Sequence, residues 1–363
     1  MSTDHLFSPL TLRSLTFPHR IAVSPMCEYS STDGFANDWH FVHLGSRAVG
    51  GAALVMTEAA GVSPEGRITP ADLGIYKDEH VAGLKHITDF LHAHGAKAGI
   101  QIAHAGRKAS MAVPWDTPER LIPAAEGGWQ PVGPSAIPFG EHYGTPAELD
   151  RAGLEKVAAD FAAATQRAAA AGFDVVEVHS AHGYLLHEFL SPLTNHRTDE
   201  YGGAFENRVR LPLEVVRAVR GNWPAELPVF VRISATDWAP ETLGASWDLS
   251  QSVEFAKLLK AEGIDLVDVS TGGNHPAQQI PVGPGYQVHH AETIRREAGI
   301  ATAAVGMITE PAQADQIVRT GQADLVLLAR ELLRNPYWPL QAAEALRKEI
   351  HWPVQYLRAR RSH

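Results

Sequence analysis

Three segments of the chain share one pattern of apolar and polar positions. Ala171-Gly172-Phe173-Asp174-Val175-Val176-Glu177-Val178 and Glu262-Gly263-Ile264-Asp265-Leu266-Val267-Asp268-Val269 are near copies, and Gly321-Gln322-Ala323-Asp324-Leu325-Val326-Leu327-Leu328 is a looser one. In each, a glycine leads through an aspartate into a short β-rich run. Helical periodicity precedes each run, over 154–171 (with Asp150 as N-cap), 249–261 and 311–320. A glycine suits a helix C-terminus that closes in the left-handed region. Helix, glycine, strand in repetition is the pattern of βα units on a parallel sheet. Further apolar runs bring the predicted strands to eight: 21–24, 52–57, 97–102, 174–179, 229–233, 266–270, 300–305 and 325–329. Eight strands with interleaved helices predict an α/β protein, a closed (β/α)8 TIM barrel. A doubly wound open sheet is the rival. Residues 6–15 predict a hairpin ahead of strand one, plugging the barrel bottom. Residues 110–149, rich in Pro, Gly and Trp, predict a long loop after strand three on the active-site face. No linker divides the chain, so 1–363 reads as one domain.

Composition narrows the function. The chain is 45% hydrophobic and 20% charged, as in an ordinary globular protein with ample core. A net charge of −10 argues against nucleic acid as a partner. The one basic cluster, Arg358, Arg360 and Arg361, has a plain reading as a solvated tail. The single cysteine, Cys27, leaves no intrachain disulfide, zinc ribbon or iron–sulfur cluster to build, which fits a reducing cytoplasm. No apolar run approaches the ~20 residues of a membrane span, and the N-terminus lacks a basic-then-apolar leader. A cytoplasmic enzyme without membrane attachment is expected.

In α/β enzymes the C-terminal strand ends carry the chemistry. Strand four runs into His179-Ser180-Ala181-His182-Gly183-Tyr184. Two imidazoles and a phenol without a neighbouring carboxylate suit polarising an oxygen and protonating a carbon. Metal binding by the histidines competes with that reading, as in a barrel hydrolase, although strand eight ends in Ala329-Arg330 rather than an Asp. Strand one ends in Ser24-Pro25-Met26-Cys27-Glu28-Tyr29, strand two in Glu58-Ala59, strand three carries Gln101, and strand five Arg232. Gly306 follows strand seven. Loops after strands seven and eight of such barrels commonly bind phosphate, and an Arg there adds charge. A phosphate-bearing heterocycle is the ligand this predicts. Neither G-x-G-x-x-G nor a P-loop is present.

The whole set of motifs resembles the old yellow enzyme family of FMN-dependent ene-reductases, in its bacterial xenobiotic reductase A-like branch. The matching stretches are Ser24-Pro25-Met26-Cys27, Pro64 through Thr69, Gln101 through Lys108, His179 through Tyr184, Asn195 through Gly203, Asn207-Arg208 and Arg330 through Pro336, in family order from near residue 7 to near residue 358. The resemblance implies non-covalent FMN, reduced by NADPH or NADH. It assigns Ser24, Pro25, Met26, Cys27, Ala59, Gln101 and Arg232 to the isoalloxazine, and Gly306, Ala329 and Arg330 to the phosphate. Arg232 is expected at the N1–C2 edge, where a cation stabilises reduced flavin. His179 and His182 are expected to bond the oxygen of an enone, enal, nitroalkene or maleimide, Tyr29 to grip the substrate, and Tyr184 to protonate its α-carbon. Cys27 is expected to tune the flavin through a weak thiol hydrogen bond, not to act as a nucleophile. Arg358 matches an arginine that reaches a neighbouring subunit's site, so a homodimer or homotetramer is expected.

Plainer readings stand beside these. His40 and His43 read as structural, Arg107 and Lys108 as solvated loop charges, and 201–208 as loop geometry. Ala204 stands where relatives carry Ser or Thr. Val305 stands where that branch carries Trp, which predicts a wider pocket. A dienoyl-CoA reductase-like flavoprotein needs a cysteine cluster, a tRNA-modifying one a basic surface, and a flavin-binding redox sensor a partner segment; the sequence shows none of these.

Overall fold

The protein is described from a computed structural model over residues 4–115 and 120–361. Twelve strands occur among these residues. Strands β1 (Leu10–Leu12) and β2 (Leu15–Phe17) pair as an antiparallel hairpin. Eight form the barrel: β3 (Ile21–Val23), β4 (Leu54–Gly61), β5 (Lys97–Ala103), β8 (Val175–Ser180), β9 (Val229–Ser234), β10 (Leu266–Ser270), β11 (Ala301–Ala304) and β12 (Leu325–Leu328). Every pair in it is parallel, and β12 closes onto β3. The two remaining strands, β6 (Val132–Gly133) and β7 (Ala147–Glu148), pair inside the long loop after β5. The closed barrel thus replaces the open-sheet rival.

The helices form where the apolar period said they would. Arg151–Ala170 buries Leu154, Val157, Phe161, Ala164 and Ala168, one stripe at three- and four-residue spacing, and Asp150 Oδ1 caps it by accepting from Gly153 N. Leu249–Ala261 is capped likewise by Asp248, while Pro311–Arg319 buries Ala314, Ile317 and Val318 and starts at its proline without a side-chain cap. The hairpin differs from expectation by several residues. It spans 10–17, while Leu6 instead packs in the outer core between barrel and helices. The reason lies in alternation: Leu15 and Phe17 point into the barrel and Thr16 points out.

Strand alternation divides each barrel strand between two cores. Val176 and Val178 face the helices, whereas Val175 faces the lumen. The lumen floor is apolar, built from Leu15, Phe17, Ala22, Leu54, Met56, Val175, Phe230, Leu266 and Leu325. Phe17 and Phe230 meet there with ring centroids 6.4 Å apart. One layer higher the lumen turns polar, with Gln101, Glu177, Arg232 and Asp268 all buried. That layer separates the floor from the C-terminal mouth. No described helix is long and apolar enough to cross a membrane.

Candidate active site

The loop leaving β8 is held in a conformation that few side chains adopt. His182 has φ +59° and Gly183 φ +71°. A non-glycine residue in this region is uncommon and marks a constrained site. A Cβ on Gly183 would collide with the carbonyl oxygen of Gly273, so the loops after β8 and β10 interlock through their glycines. From inside, His187 Nδ1 accepts from Gly183 N at 2.9 Å, and His187 Nε2 lies 3.0 Å from Asp237 Oδ1. From outside, Lys108 Nζ donates to His182 O at 2.8 Å and Gly273 O at 2.5 Å.

These clamps bring three rings together. The His179 ring lies 5.1 Å from that of His182 and 5.0 Å from that of Tyr184, nearly perpendicular to both. Ala181 N donates to His179 Nδ1 at 3.3 Å, so the His179 proton resides on Nε2, 3.4 Å from His182 Nδ1. The His182 proton is then on Nε2, 2.7 Å from Ser270 Oγ, and Ser270 donates to Gln287 Oε1 at 3.3 Å. All donors in this chain point one way. The 3.4 Å link is the weak one, so the His179 N–H is the easiest to redirect to an incoming oxygen. Burial, and then the nearby cations, hold both imidazoles well below the usual histidine range, which makes them neutral donors. Burial raises the Tyr184 phenol well above its ordinary value, so it keeps its proton.

Two cavities meet at this loop. One, of about 310 Å³, is lined by Ser24, Pro25, His182, Arg232, Gly306 and Arg330, with Ala329 and Val305 beside them. The other, of about 230 Å³, is lined by Tyr29, Lys108, Tyr143 and Tyr184. The first fits a flavin phosphate at its Gly306 end. Gly306 sits at φ +124°, and a Cβ there would approach Gln287 Nε2 to 2.9 Å, so only glycine leaves its backbone open. Arg330 lines the same end with no ion-pair partner among the described residues. At the other end Arg232 NH2 donates to Ser24 Oγ at 3.0 Å, and Nε lies 2.9 Å from Asp268 Oδ2.

Not every expected residue lies on these walls. Ala59 borders a small void with Tyr184 and Asp72, a carboxyl pushed up to about 7 mainly by burial. Gln101 turns away to donate to Glu177 Oε1 at 2.7 Å. Met26 is partly buried against the outer core. Cys27 is half-buried, and its thiol and the Tyr29 hydroxyl lie within hydrogen-bonding reach; burial, then Asp72 and Glu58, push the thiol up, so it stays protonated. Arg358 is exposed on the short turn Val354–Ala359 and borders neither cavity of its own chain.

The plainer expectations divide. His40 bonds Glu58 Oε1 at 3.1 Å and completes a capping box with Asn37, and His43 lies 3.3 Å from Glu28 Oε1, both in structural roles. Arg107 and Lys108 are not solvated charges. Arg107 is buried and donates to Asn274 O at 2.5 Å, and Lys108 clamps the loop after β8. Ser270 and Gln287 went unnoticed in the sequence, although Ser270 ends a barrel strand just as His179 nearly does. Among the described residues no group of three or more His, Cys, Asp or Glu could hold a metal ion.

Comparison with known proteins places this geometry. Residues 5–349 match the family described as NADH:flavin oxidoreductase / NADH oxidase. An NADPH dehydrogenase of Geobacillus sp. (strain WCH70) is 50% identical over 355 residues, covering 97% of this chain and 98% of that protein. Morphinone reductase in complex with tetrahydroNAD superposes with a TM-score of 0.78 at 28% identity, covering 97% of this chain and 93% of that one. An old yellow enzyme homologue from Zymomonas mobilis gives 0.77 at 26% identity, covering 97% and 95%.

Proposed function

The chain belongs to the NADH:flavin oxidoreductase / NADH oxidase family, and on that premise we propose that it reduces the activated C=C bond of α,β-unsaturated carbonyl or nitro compounds. It is an FMN-dependent NAD(P)H oxidoreductase of the old yellow enzyme type. FMN, when bound, supplies the hydride that NAD(P)H delivers to it. The residues of the chain do the rest.

The observation that carries the proposal is the arrangement of two neutral imidazoles and one protonated phenol on a single clamped loop. His179 Nε2–H and His182 Nε2–H bond the substrate oxygen, withdrawing electron density from the β-carbon. His182 must give up its bond to Ser270 to do so, and the Ser270 hydroxyl is already directed at Gln287. Tyr184 holds the proton destined for the α-carbon; a phenol with a pKa raised above ~10 still donates to the more basic developing enolate. Lys108, with its ammonium 5.5 Å from the Tyr184 ring, lowers the energy of the phenolate left behind. Tyr29 and Tyr143 bound the space for the substrate body. Cys27 stays a thiol and offers a weak hydrogen bond to the flavin rather than a nucleophile. We assign Ser24, Pro25 and Arg232 to the ring system of FMN, and Gly306, Ala329 and Arg330 to its phosphate. Arg358 is exposed and borders neither cavity of its own chain, which fits a role in the site of a second copy.

The test is an anaerobic visible spectrum before and after NADPH, followed by cyclohexenone. Flavin bands that bleach with NADPH and return with the enone are expected. Bands that bleach but never return with any enone, nitroalkene or maleimide would sink the substrate assignment.

A further inference from the structure

The polar layer beneath the mouth contains two carboxylates and one guanidinium. Glu177 on β8 and Asp268 on β10 point into the lumen on either side of β9, from which Arg232 points between them. All three are buried to 5% exposure or less. Asp268 Oδ2 lies 2.9 Å from Arg232 Nε. Glu177 Oε1 accepts from Gln101 Nε2, but Glu177 Oε2 and Asp268 Oδ1 have no donor among the described residues. The titratable groups above are His179, two residues along β8, and His182 beyond it, and both are neutral. Asp268 Oδ2 and Arg232 Nε, though close, are not aligned for a hydrogen bond, so three carboxylate oxygens of the two neighbouring acids lack a donor among the described residues. Two buried carboxylates sharing one cation cannot both ionise without a large cost.

We infer that Glu177 is a positioning residue that carries a proton and donates it in a hydrogen bond to Asp268, leaving one carboxylate to balance Arg232, and that this balance sets the reduction potential of bound FMN. Burial raises the Glu177 carboxyl, and the adjacent Asp268 charge adds to the shift, in the same direction as the geometry. Asp268 thereby offsets the charge of the guanidinium beside it. The charge that flavin gains on reduction meets a cation already partly neutralised. The second half of this inference rests on the flavin reading of the site; the first half does not.

Two measurements separate the halves. Infrared spectra of the wild type and of Glu177→Gln should differ by one protonated-carboxyl C=O band, present at neutral pH in the wild type and lost in the variant, with or without flavin. No such difference would overturn the proton on Glu177. The FMN midpoint potential should be unmoved in Glu177→Gln, because the amide replaces a neutral acid and keeps both of its hydrogen bonds. In Asp268→Asn it should rise by at least about 30 mV, a tenfold stronger preference for reduced flavin in a two-electron couple. A rise of similar size in Glu177→Gln would show that Glu177 is charged and overturn the inference. If Asp268→Asn does not fold, the Glu177→Gln potential and spectrum alone decide it. Failure to retain FMN in the wild type would overturn the flavin reading and the potential claim together, while the infrared result would still stand on its own.

Discussion

The two ends of the barrel lumen are built on opposite principles. The floor is made of side chains that carry no chemistry: Phe17, Phe230, Leu54 and Met56 fill space around a hairpin plug. The mouth is made of groups that are costly to bury: two imidazoles, a phenol, an ammonium and a carboxyl, held by clamps and strained backbone. The floor contributes stability through packing and apolar burial. The mouth spends it. Glu188, immediately behind the loop that carries His182, is pushed up to about 8 by burial, and Asp72 to about 7. The contrast teaches that stability and reactivity are separated along one axis of a single barrel, with the Glu177–Asp268–Arg232 layer as the boundary.

The sharpest way to break this contrast is at the plug. Phe17→Ala should cost about 3–5 kcal/mol in unfolding free energy. The flavin spectrum and phenol affinity should survive in the folded fraction. If phenol binding falls in step with stability, the two ends are not independent. At the other end, Tyr184→Phe should slow the oxidative half-reaction by about 10²-fold. Stopped-flow reduction by NADPH should stay near the wild-type rate, and equal loss in both halves would remove Tyr184 from the proton-donor role. His179→Ala or His182→Ala should weaken binding of phenolic ligands by about tenfold, the worth of one bond to a charged or partly charged oxygen. Unchanged affinity in both variants would sink the oxyanion site.

A last expected effect, the smallest per pH unit over most of its range, sharpens the comparison through pH. His19, at the floor end of β3, has its pKa lowered from 6.5 to about 4 by burial. The unfolded chain therefore binds the proton first, and stability is lost as pH falls from 6.5 toward 4. Glu188 behaves in the opposite sense. Its native pKa of about 8 exceeds the unfolded 4.5, so the native state holds the extra proton and stability is lost as pH rises from 4.5 toward 8. Glu188→Gln should flatten that alkaline slope by up to about 1.4 kcal/mol per pH unit. Urea midpoints of both proteins at pH 6 and pH 8 would reveal it; parallel curves would mean Glu188 is ionised in the fold.

The floor and the outer core were easier to read in the sequence than the mouth. Each predicted barrel strand is present, because Val175-Val176 or Leu325-Val326 can do little else but enter a sheet. His179, His182 and Tyr184 were visible because polar rings ended an apolar run. Glu177 and Asp268 were not, since a lone acid inside such a run looks like a solvent-facing position until the barrel closes around it. Lys108 and Arg107 were misread for a related reason. Their partners are backbone carbonyls of residues 137, 182, 273 and 274, distant in sequence and lacking any side-chain signature. The hairpin was displaced because Leu6, which belongs to the outer core, has the same apolar character as Leu15, which belongs to the plug.

The left-handed backbone at residue 182 restricts the alphabet available to the site. The position must supply an N–H donor at a fixed height above the lumen and must also sit at φ +59°. Among side chains with such a donor, histidine and asparagine are those enriched in that backbone region, while β-branched residues are strongly disfavoured in it. A saturation library at position 182, selected for turnover rather than for folding, should therefore be enriched in these two letters. At position 179, whose backbone is ordinary strand, a wider set should remain.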